Sequence, residues 1–327
     1  MNIPRDKSVL AATTHLLRST PETVHWGFFD ASLPPVLTVD SGDRVVIECV
    51  SGNPEWLPPK TRGFKVPPEL LDIHAKVKRG TGNHILTGPV FVRGAAIGDV
   101  LEIQILEIGL RQDWAYNLFR RYMGTLPGDY PYYRLIHIAL DEGSNMAVLP
   151  SGLRVPMRPF FGQLGVAPPA EAGRQNSKEP REFGGNIDCK ELVAGSTVFL
   201  PVLNEGALFS TGDGHAIQGD GEVNGTAAET ALEGTFEFRV RKDLEWRLPR
   251  AETPTHYLTF GLDADLDDAA RQALREMLQW IVDLTGISRD EAYALGSLAV
   301  DLHVTQTVNN IKGVHAMLNK NILRKPT

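Results

Sequence analysis

Short apolar segments alternate with turn residues along most of this chain, and this pattern predicts many β-strands. Glycine and proline separate the apolar runs, with 31 Gly and 22 Pro in the chain. Such punctuation is typical of proteins built from many strands. The predicted strands are Val36–Val39, Arg44–Val50, Leu86–Val92, Val100–Leu110, Ile136–Leu140, Met146–Leu149, Thr197–Val202 and Thr235–Arg241.

Local residues refine two of these predictions. Pro89 lies inside its run and cannot donate a backbone hydrogen bond, so it indicates an edge strand or an irregularity. Residues 141–144 join two runs and predict a hairpin loop between them.

The last third of the chain changes to helical spacing. Apolar residues recur every three or four positions over Asp267–Leu284, and Gly286 follows as a stop signal. Ser288 and Glu291 then have the spacing of a capping box, which predicts the start of a second helix. Together with the strands, these helices predict a mainly β fold with an α/β C-terminal part. The strands should form β-sandwich or barrel-like units decorated with helices.

A polar segment at 167–180 contains three prolines and has no periodicity, which predicts a long loop. Such a loop either divides two units or covers a site. We therefore predict a β-rich N-terminal unit over residues 1–166. A β-rich C-terminal unit with the terminal helices should span 181–327, and the two should pack as one compact body.

Composition narrows the class of protein. The chain has 327 residues, 42% of them hydrophobic and 22% charged, and a net charge of −7. It carries no dense basic cluster, so we expect no nucleic-acid partner. No run of 18 apolar residues occurs, so we expect no membrane span. Two cysteines and an N-terminus (1–7) without a signal-peptide pattern indicate a cytoplasmic protein. A homo-oligomer is plausible for such a protein.

Candidate chemistry concentrates in residues 211–229, where one histidine and four carboxylates lie among five glycines. Asp213 and His215 share a strand face by their period of two, and so do Gln218, Asp220 and Glu222. The glycines would let a ligand or an ion approach the backbone closely. A polar hairpin with glycine turns is the alternative interpretation. No phosphate-loop Gly-Lys-Ser/Thr follows, and the EF-hand spacing is absent.

Three shorter segments add candidates. Asn186 and Asp188 share a face, and Asp188 is either a hard oxygen ligand or part of an Asx-turn. His84 precedes a strand within a glycine-rich segment and is either a ligand or structural. His25 and Trp26 form either a pocket wall or the edge of the core. Cys189 is interpreted as a small buried apolar residue rather than a nucleophile.

Several of these motifs, taken in order, resemble the signature of the acetamidase/formamidase family. The resemblance extends from His25 to about His315. The family implies a β-rich fold with an α/β C-terminal part, hydrolysis of formamide, acetamide and similar short amides, and bound divalent metal such as zinc or calcium. The matching motifs are Gly212–Val223, Gly185–Asp188, Pro159–Pro168, His84–Val90, Asp290–Leu295 and Asp301–Gln306.

On this resemblance we expect a metal, zinc or also calcium, to activate water and to polarise the amide carbonyl. The expected ligands are His84, Asp188, His215 and Asp220, because histidine and carboxylates are suitable zinc ligands. Glu222 is either a further ligand or the proton shuttle, and Glu229 is a second shuttle candidate.

The expected substrate pocket consists of five residues around these ligands: His25, Trp26, Asn186, Asp213 and Gln218. The absence of a Gly-x-Ser-x-Gly elbow argues against a serine nucleophile. Two other classes stay open at this point. One is a metal-dependent hydrolase of another C–N bond, and the other is a non-enzymatic β-protein with a structural calcium site.

Overall fold

The computed structural model describes residues 12–324, which form twenty-two strands and three α-helices. The N-terminal residues 1–7, whose sequence lacks a signal-peptide pattern, lie outside this range. Within residues 12–324, no helix combines the length and the apolar character needed to cross a bilayer.

The helices are α1 (Pro68–Lys76), α2 (Leu266–Thr285) and α3 (Arg289–Ala299). The strands are β1 (Thr14–Leu17), β2 (Val24–Trp26), β3 (Phe28–Phe29), β4 (Leu37–Val39), β5 (Arg44–Cys49), β6 (Ile85–Val92), β7 (Val100–Leu110), β8 (Trp114–Phe119), β9 (Arg134–Asp141), β10 (Met146–Val148), β11 (Arg154–Pro156), β12 (Phe160–Gly165), β13 (Gln175–Asn176), β14 (Gly184–Asn186), β15 (Thr197–Pro201), β16 (Phe209–His215), β17 (Glu229–Thr230), β18 (Leu232–Arg241), β19 (Arg250–Glu252), β20 (His256–Asp263), β21 (Val300–Gln306) and β22 (Lys312–Asn319).

Two large sheets contain nearly all of these strands. The first has nine strands in the order β1-β5-β18-β7-β15-β19-β20-β22-β21. The second has eleven, with the path β11-β10-β9-β8-β17-β16-β12-β14 and with β6 joining β2 and β4 to β16. Each path ends on edge strands, so neither sheet closes into a barrel. A separate ribbon pairs β3 with β13.

The main core lies between the two sheets. Phe161 and Phe209 of the second sheet contact Phe236 of the first, with ring centroids 5.3 and 6.0 Å apart. One continuous cluster of buried side chains takes residues from both sheets. Burial of this apolar surface is the main favourable contribution to folding, and it gives the sandwich-like arrangement that the sequence predicts.

The C-terminal part is α/β, as expected. Helix α2 lies on β20 and β22 and buries Ala273, Met277 and Trp280 against them. A Cβ on Gly261 of β20 would lie 1.8 Å from the carbonyl oxygen of Ala269, so glycine is required where the helix meets the sheet. The predicted cap of α3 is confirmed, because Ser288 Oγ accepts a hydrogen bond from the Glu291 backbone N–H at 3.2 Å.

Strand β6 shows what the sequence could not resolve about Pro89. The predicted irregularity is present, because the pairing of β6 with β16 shifts register between Phe209 and Thr211. An edge position is wrong, since β6 pairs with β2, β4 and β16. The hairpin predicted around 141–144 is confirmed by the pairing of β9 with β10. The sequence patterns also missed α1, whose apolar positions are few.

Both large sheets take strands from each side of the segment 167–180. In the first sheet, β7 pairs with β15 and β18. In the second, β6 pairs with β16. The division into units 1–166 and 181–327 therefore stays a prediction about folding units, and the sheets themselves are shared.

Candidate active site

Strands β16 and β17 bring the first three candidate residues together. His215 ends β16 and stands opposite Glu229 of β17 in the sheet register. Nε2 of His215 lies 3.2 Å from Oε2 of Glu229 and 3.5 Å from Oδ2 of Asp213. All three side chains are buried. The predicted proximity of Asp213 and His215 is confirmed, whereas the contact with Glu229 comes from strand pairing.

Two further carboxylates complete this group. Asp188 follows β14, and its backbone N–H donates to the carbonyl of Gly162 at 3.2 Å. Asp188, His215 and Glu222 each offer a ligand atom, and these atoms lie within 4.8 Å of one another. The same holds for Asp213, His215 and Glu229. His215 belongs to both sets, so it is the centre of the cluster.

His84 stands at the side of the cluster. Its Nε2 lies 3.7 Å from Oδ2 of Asp213. Its Nδ1 is held by Ser177 Oγ at 2.9 Å and by Gln163 Nε2 at 3.1 Å. An imidazole whose second nitrogen is held in this way has a fixed orientation.

The floor of the site is Gly162 of β12. A Cβ at this position would lie 2.6 Å from Oδ1 of Asp188, 2.7 Å from Oδ2 of Asp213 and 2.8 Å from Cε1 of His215. These three side chains therefore surround a space that any residue other than glycine would fill. Both carboxylate oxygens of Asp188 are buried, and neither has a hydrogen-bond partner among residues 12–324. Buried carboxylates that lack donors and converge on one space fit a cation.

The glycines of 211–229 were expected to let a ligand approach the backbone, but two of them have another role in the structure. A Cβ on Gly212 would lie 2.3 Å from the carbonyl of Ile85, and one on Gly214 would lie 2.6 Å from the carbonyl of Thr230. These glycines let neighbouring strands approach β16. Gly162, which sequence patterns did not single out, is the glycine that makes room in the site.

Three acids of the cluster have strained backbone. The φ angles of Asp188, Asp213 and Glu222 are 51°, 60° and 44°, in the left-handed region that residues with a side chain rarely adopt. Such conformations cost roughly 1–3 kcal/mol each and persist where the surrounding structure holds them. They aim the three carboxyl groups into the cluster.

The electrostatics show an excess of negative charge. Burial acts to lower the pKa of His215, but Glu229 and Asp213 outweigh it and raise that pKa well above its ordinary value. Burial, then the charge of Asp213, raises the pKa of Asp188. Burial likewise raises the pKa of Glu222 and of Glu229. Four carboxyl groups facing two imidazoles would be stabilised by added positive charge.

A small polar cavity of about 50 Å³ opens above the cluster. His84, Asn186, Asp213, Glu222 and Glu229 all line it, as their candidate roles require. Asn186 is held in place, since its Nδ2 donates to the carbonyl of Lys178 at 3.2 Å. Several other lining residues were not predicted from the sequence: Ser51, Trp56, Tyr116, Arg120, Lys178 and Asn309.

The structure does not bring Asp220 to the other predicted ligands. The strand ends at His215, so the period of two that placed Gln218, Asp220 and Glu222 on one face does not apply. Oδ2 of Asp220 instead lies 2.9 Å from Nζ of Lys190 and 3.2 Å from Nδ1 of His303. Asp220 therefore belongs to a separate polar group.

Three predicted pocket residues lie outside the cavity lining. Gln218 Nε2 donates to the backbone carbonyl of Asp188 at 2.7 Å and so supports a cluster residue from behind. His25 is buried beside Phe28 and Phe29. The ring of Trp26 stacks on that of His74 with the centroids 5.5 Å apart, and the indole N–H of Trp26 donates to the carbonyl of Asn83. The structure thus favours the alternative of a core edge for His25 and Trp26.

Comparison with known proteins agrees with this geometry. The sequence profile of the Acetamidase/Formamidase family matches residues 14–179 and 170–322. A formamidase of Methylophilus methylotrophus is 25% identical over 85% of this chain and 84% of its own length. Crystal structures of similar proteins share the fold. One is a predicted acetamidase/formamidase of Thermoanaerobacter tengcongensis, with a TM-score of 0.84 and 26% identity over 96% of this chain and 98% of that one.

Another is an acetamidase of Bacillus halodurans, with a TM-score of 0.81 and 31% identity over 94% of this chain and 98% of that one. The family profile covers nearly all of the described chain, including every residue of the buried cluster. The chain therefore belongs to the Acetamidase/Formamidase family and is an amide hydrolase.

Proposed function

We propose that this enzyme hydrolyses short-chain amides such as formamide and acetamide, with a divalent metal held in the buried cluster. The observation that carries the proposal is the space above Gly162, which is surrounded by Asp188, Asp213 and His215. The cavity of about 50 Å³ above it suits a small amide. Formamidase and acetamidase are the names of the relatives, which agrees with a small acyl group.

The metal would be held by His215, Asp188 and Asp213, with His84 at the side. Two imidazoles in the donor set favour zinc over calcium, because calcium prefers oxygen ligands. When bound, such an ion polarises an amide carbonyl and lowers the pKa of water. His84 keeps its orientation through Ser177 and Gln163, so its Nε2 stays directed at the cluster.

Glu222 and Glu229 are the proton carriers in this proposal. An amide nitrogen leaves as ammonia only after it is protonated, so the site needs a group that holds a proton near neutral pH. Burial raises the pKa of both carboxyl groups, which favours their protonated forms. Both line the cavity. Glu229 also lies within 3.2 Å of His215, which makes it the better placed of the two to exchange a proton at the cluster.

The direct test is ammonia release from formamide, acetamide and propionamide. The assay is run on the enzyme as purified, after chelation, and after zinc or calcium is added back. We expect chelation to abolish release and zinc to restore it. Release that survives complete chelation would contradict the metal proposal. A chelated protein that only melts at lower temperature, with no turnover under any condition, would indicate a structural ion instead.

We also propose that the protein is cytoplasmic and forms a homo-oligomer. Tyr122, Leu126, Tyr130 and Tyr133 are exposed on one segment, and exposed apolar side chains in one place are typical of an interface. Light scattering of the purified protein tests the assembly. A monomer at micromolar concentration would contradict it.

A further inference from the structure

The lining of the active-site cavity includes two cations that the hydrolysis of a neutral amide does not require. Lys178 and Arg120 both line the cavity, and both are half-buried. Among residues 12–324, neither side chain forms an ion pair with a carboxylate. The neighbouring carboxylate of Glu179 is engaged elsewhere, because it accepts from the backbone N–H of Ile311 at 2.8 Å and from Nδ2 of Asn310 at 3.0 Å.

The two cations also lie close enough to repel each other. Burial, then the charges of Arg120 and Arg79, lowers the pKa of Lys178. The guanidinium of Arg79 contacts the side chains of Asn83 and Glu55. The guanidinium carbon of Arg120 lies 6.0 Å from the ring centroid of Trp56. The charge of Glu179 opposes the lowering of the Lys178 pKa only in part, and a bound anion would relieve more of the repulsion between the two cations.

A third group at the cavity points to the same ligand chemistry. The buried Nδ2 of Asn309 has no hydrogen-bond partner in the described part of the chain, and Asn309 lines the cavity. A buried amide donor left without an acceptor costs free energy. An acceptor oxygen supplied by a ligand would remove that cost. Two cations and an amide donor around one cavity form a set that suits a carboxylate.

We propose that the preferred substrates are short amides that also carry a carboxylate, with Lys178, Arg120 and Asn309 receiving the anionic end. This inference rests on the proposed amide hydrolysis. The reaction itself is unchanged: the C–N bond breaks, water supplies the hydroxyl of the new carboxyl group, and the nitrogen leaves as ammonia. The monoamide of malonate would thus yield malonate and ammonia. Asp213, Glu222 and Glu229 also line the cavity, so the end of the substrate beside these carboxylates should be the neutral amide.

The test compares malonamate with propionamide, a neutral amide of similar size, in the metal-loaded enzyme. We expect kcat/KM to favour malonamate by about tenfold or more, as charge-assisted hydrogen bonds would provide. K178Q and R120Q should each reduce this preference by about tenfold, chiefly through KM for malonamate. R121Q is the matched control, because Arg121 is exposed and does not line the cavity. It should leave the preference unaltered.

Two results would overturn the inference. One is a wild-type enzyme with no preference for malonamate. The other is a loss of equal size for both amides in K178Q and R120Q, which would mean that the cations only offset the acidic cluster. Calorimetric binding of malonate, compared between wild type and K178Q, separates this inference from the proposed function. Lys178-dependent binding without turnover of any amide would contradict only the hydrolysis. Turnover of propionamide without such binding would contradict only the anion site.

Discussion

Nε2 of His215 lies 3.2 Å from Oε2 of Glu229, and both side chains are buried at the end of the same strand pair. The antiparallel pairing of β16 with β17 sets this contact, since the two residues are direct partners in the register. Oε1 of Glu229 accepts from the backbone N–H of Ala227 at 2.9 Å, which fixes the carboxyl group with Oε2 beside His215. A proton on Glu229 would therefore stand at a fixed place beside the cluster.

The first prediction concerns that carboxyl group. E229Q should lower kcat for acetamide by about 100-fold to 10,000-fold, the usual contribution of a general acid or base. Thermal unfolding should be nearly unchanged, because glutamine has the same shape. E233Q is the matched control, since Glu233 is exposed on the neighbouring strand β18. If E229Q kept the wild-type kcat, Glu229 would have no part in the reaction, and Glu222 would be the proton carrier.

A second prediction uses the floor of the site. In G162A the new methyl group would meet Asp188 Oδ1 and Asp213 Oδ2 at 2.6 and 2.7 Å, well inside contact distance. We expect the purified variant to hold less than one equivalent of zinc and to lose turnover. G109A, on the open face of β7, should behave as wild type, because nothing lies within 4 Å of its added Cβ. Zinc content is measured by mass spectrometry. If G162A held a full equivalent of zinc, the metal site would not be the space beside Gly162.

The third prediction concerns the loop that carries Glu222. Gly221 is held to the C-terminal part of the chain, because its N–H donates to Thr305 and its carbonyl accepts from the N–H of Thr307, both at 3.1 Å. In the residue before Gly221, Oδ2 of Asp220 lies 2.9 Å from Nζ of Lys190 and forms an ion pair with it. These contacts fix the loop in which Glu222 keeps its strained backbone.

K190M should therefore loosen residues 219–225 and lower kcat several-fold, while the free energy of unfolding falls by only about 1 kcal/mol or less. Hydrogen exchange of the loop amides is the measurement. K190R should restore the protection, and K242M, which breaks the exposed pair with Asp99, should leave the loop unaffected. If hydrogen exchange of the loop amides were the same in K190M as in the wild type, the contacts of Gly221 alone would be enough to hold the loop.

The fourth prediction is a pH dependence. Burial lowers the pKa of His25 to about 4, although the carbonyl of Gly88 partly opposes this. Below pH 6.5 the unfolded chain binds a proton at this histidine, whereas the folded chain does not until about pH 4. The stability should thus fall as the pH drops through this window, by up to about 3 kcal/mol from His25 alone.

H25N keeps a donor near Gly88 and removes the titration. Its free energy of unfolding should vary less between pH 6.5 and pH 4 than that of the wild type, in urea titrations at each pH. The free energies of unfolding of both proteins at pH 8 provide the reference, because at that pH residue 25 carries no added proton in either protein. Equal slopes in the two proteins would mean that His25 is accessible to protons in the folded state.

Much of the fold follows from local pattern. The period of two in Thr235–Arg241 and the helical spacing of Asp267–Leu284 arise from backbone geometry alone, and both elements are present as predicted. The cap at Ser288 is equally local. Pro89 is a contrasting case. Proline restricts its own pairing, but whether a strand is an edge depends on which strands lie beside it, and β6 has partners on both sides.

The candidate site divides in the same way. The sequence by itself determined which residues have suitable chemistry, and it correctly joined Asp213 with His215, because one strand carries both. It did not single out Gly162, although the motif Pro159–Pro168 contains this residue. It also did not place Lys178 or Arg120 at the site, because sheet pairing and loop packing bring them there. It also grouped Asp220 with Glu222. Only the tertiary structure separated them, because the end of the strand at His215 and the contacts of Asp220 with Lys190 and His303 direct its side chain away from the cluster.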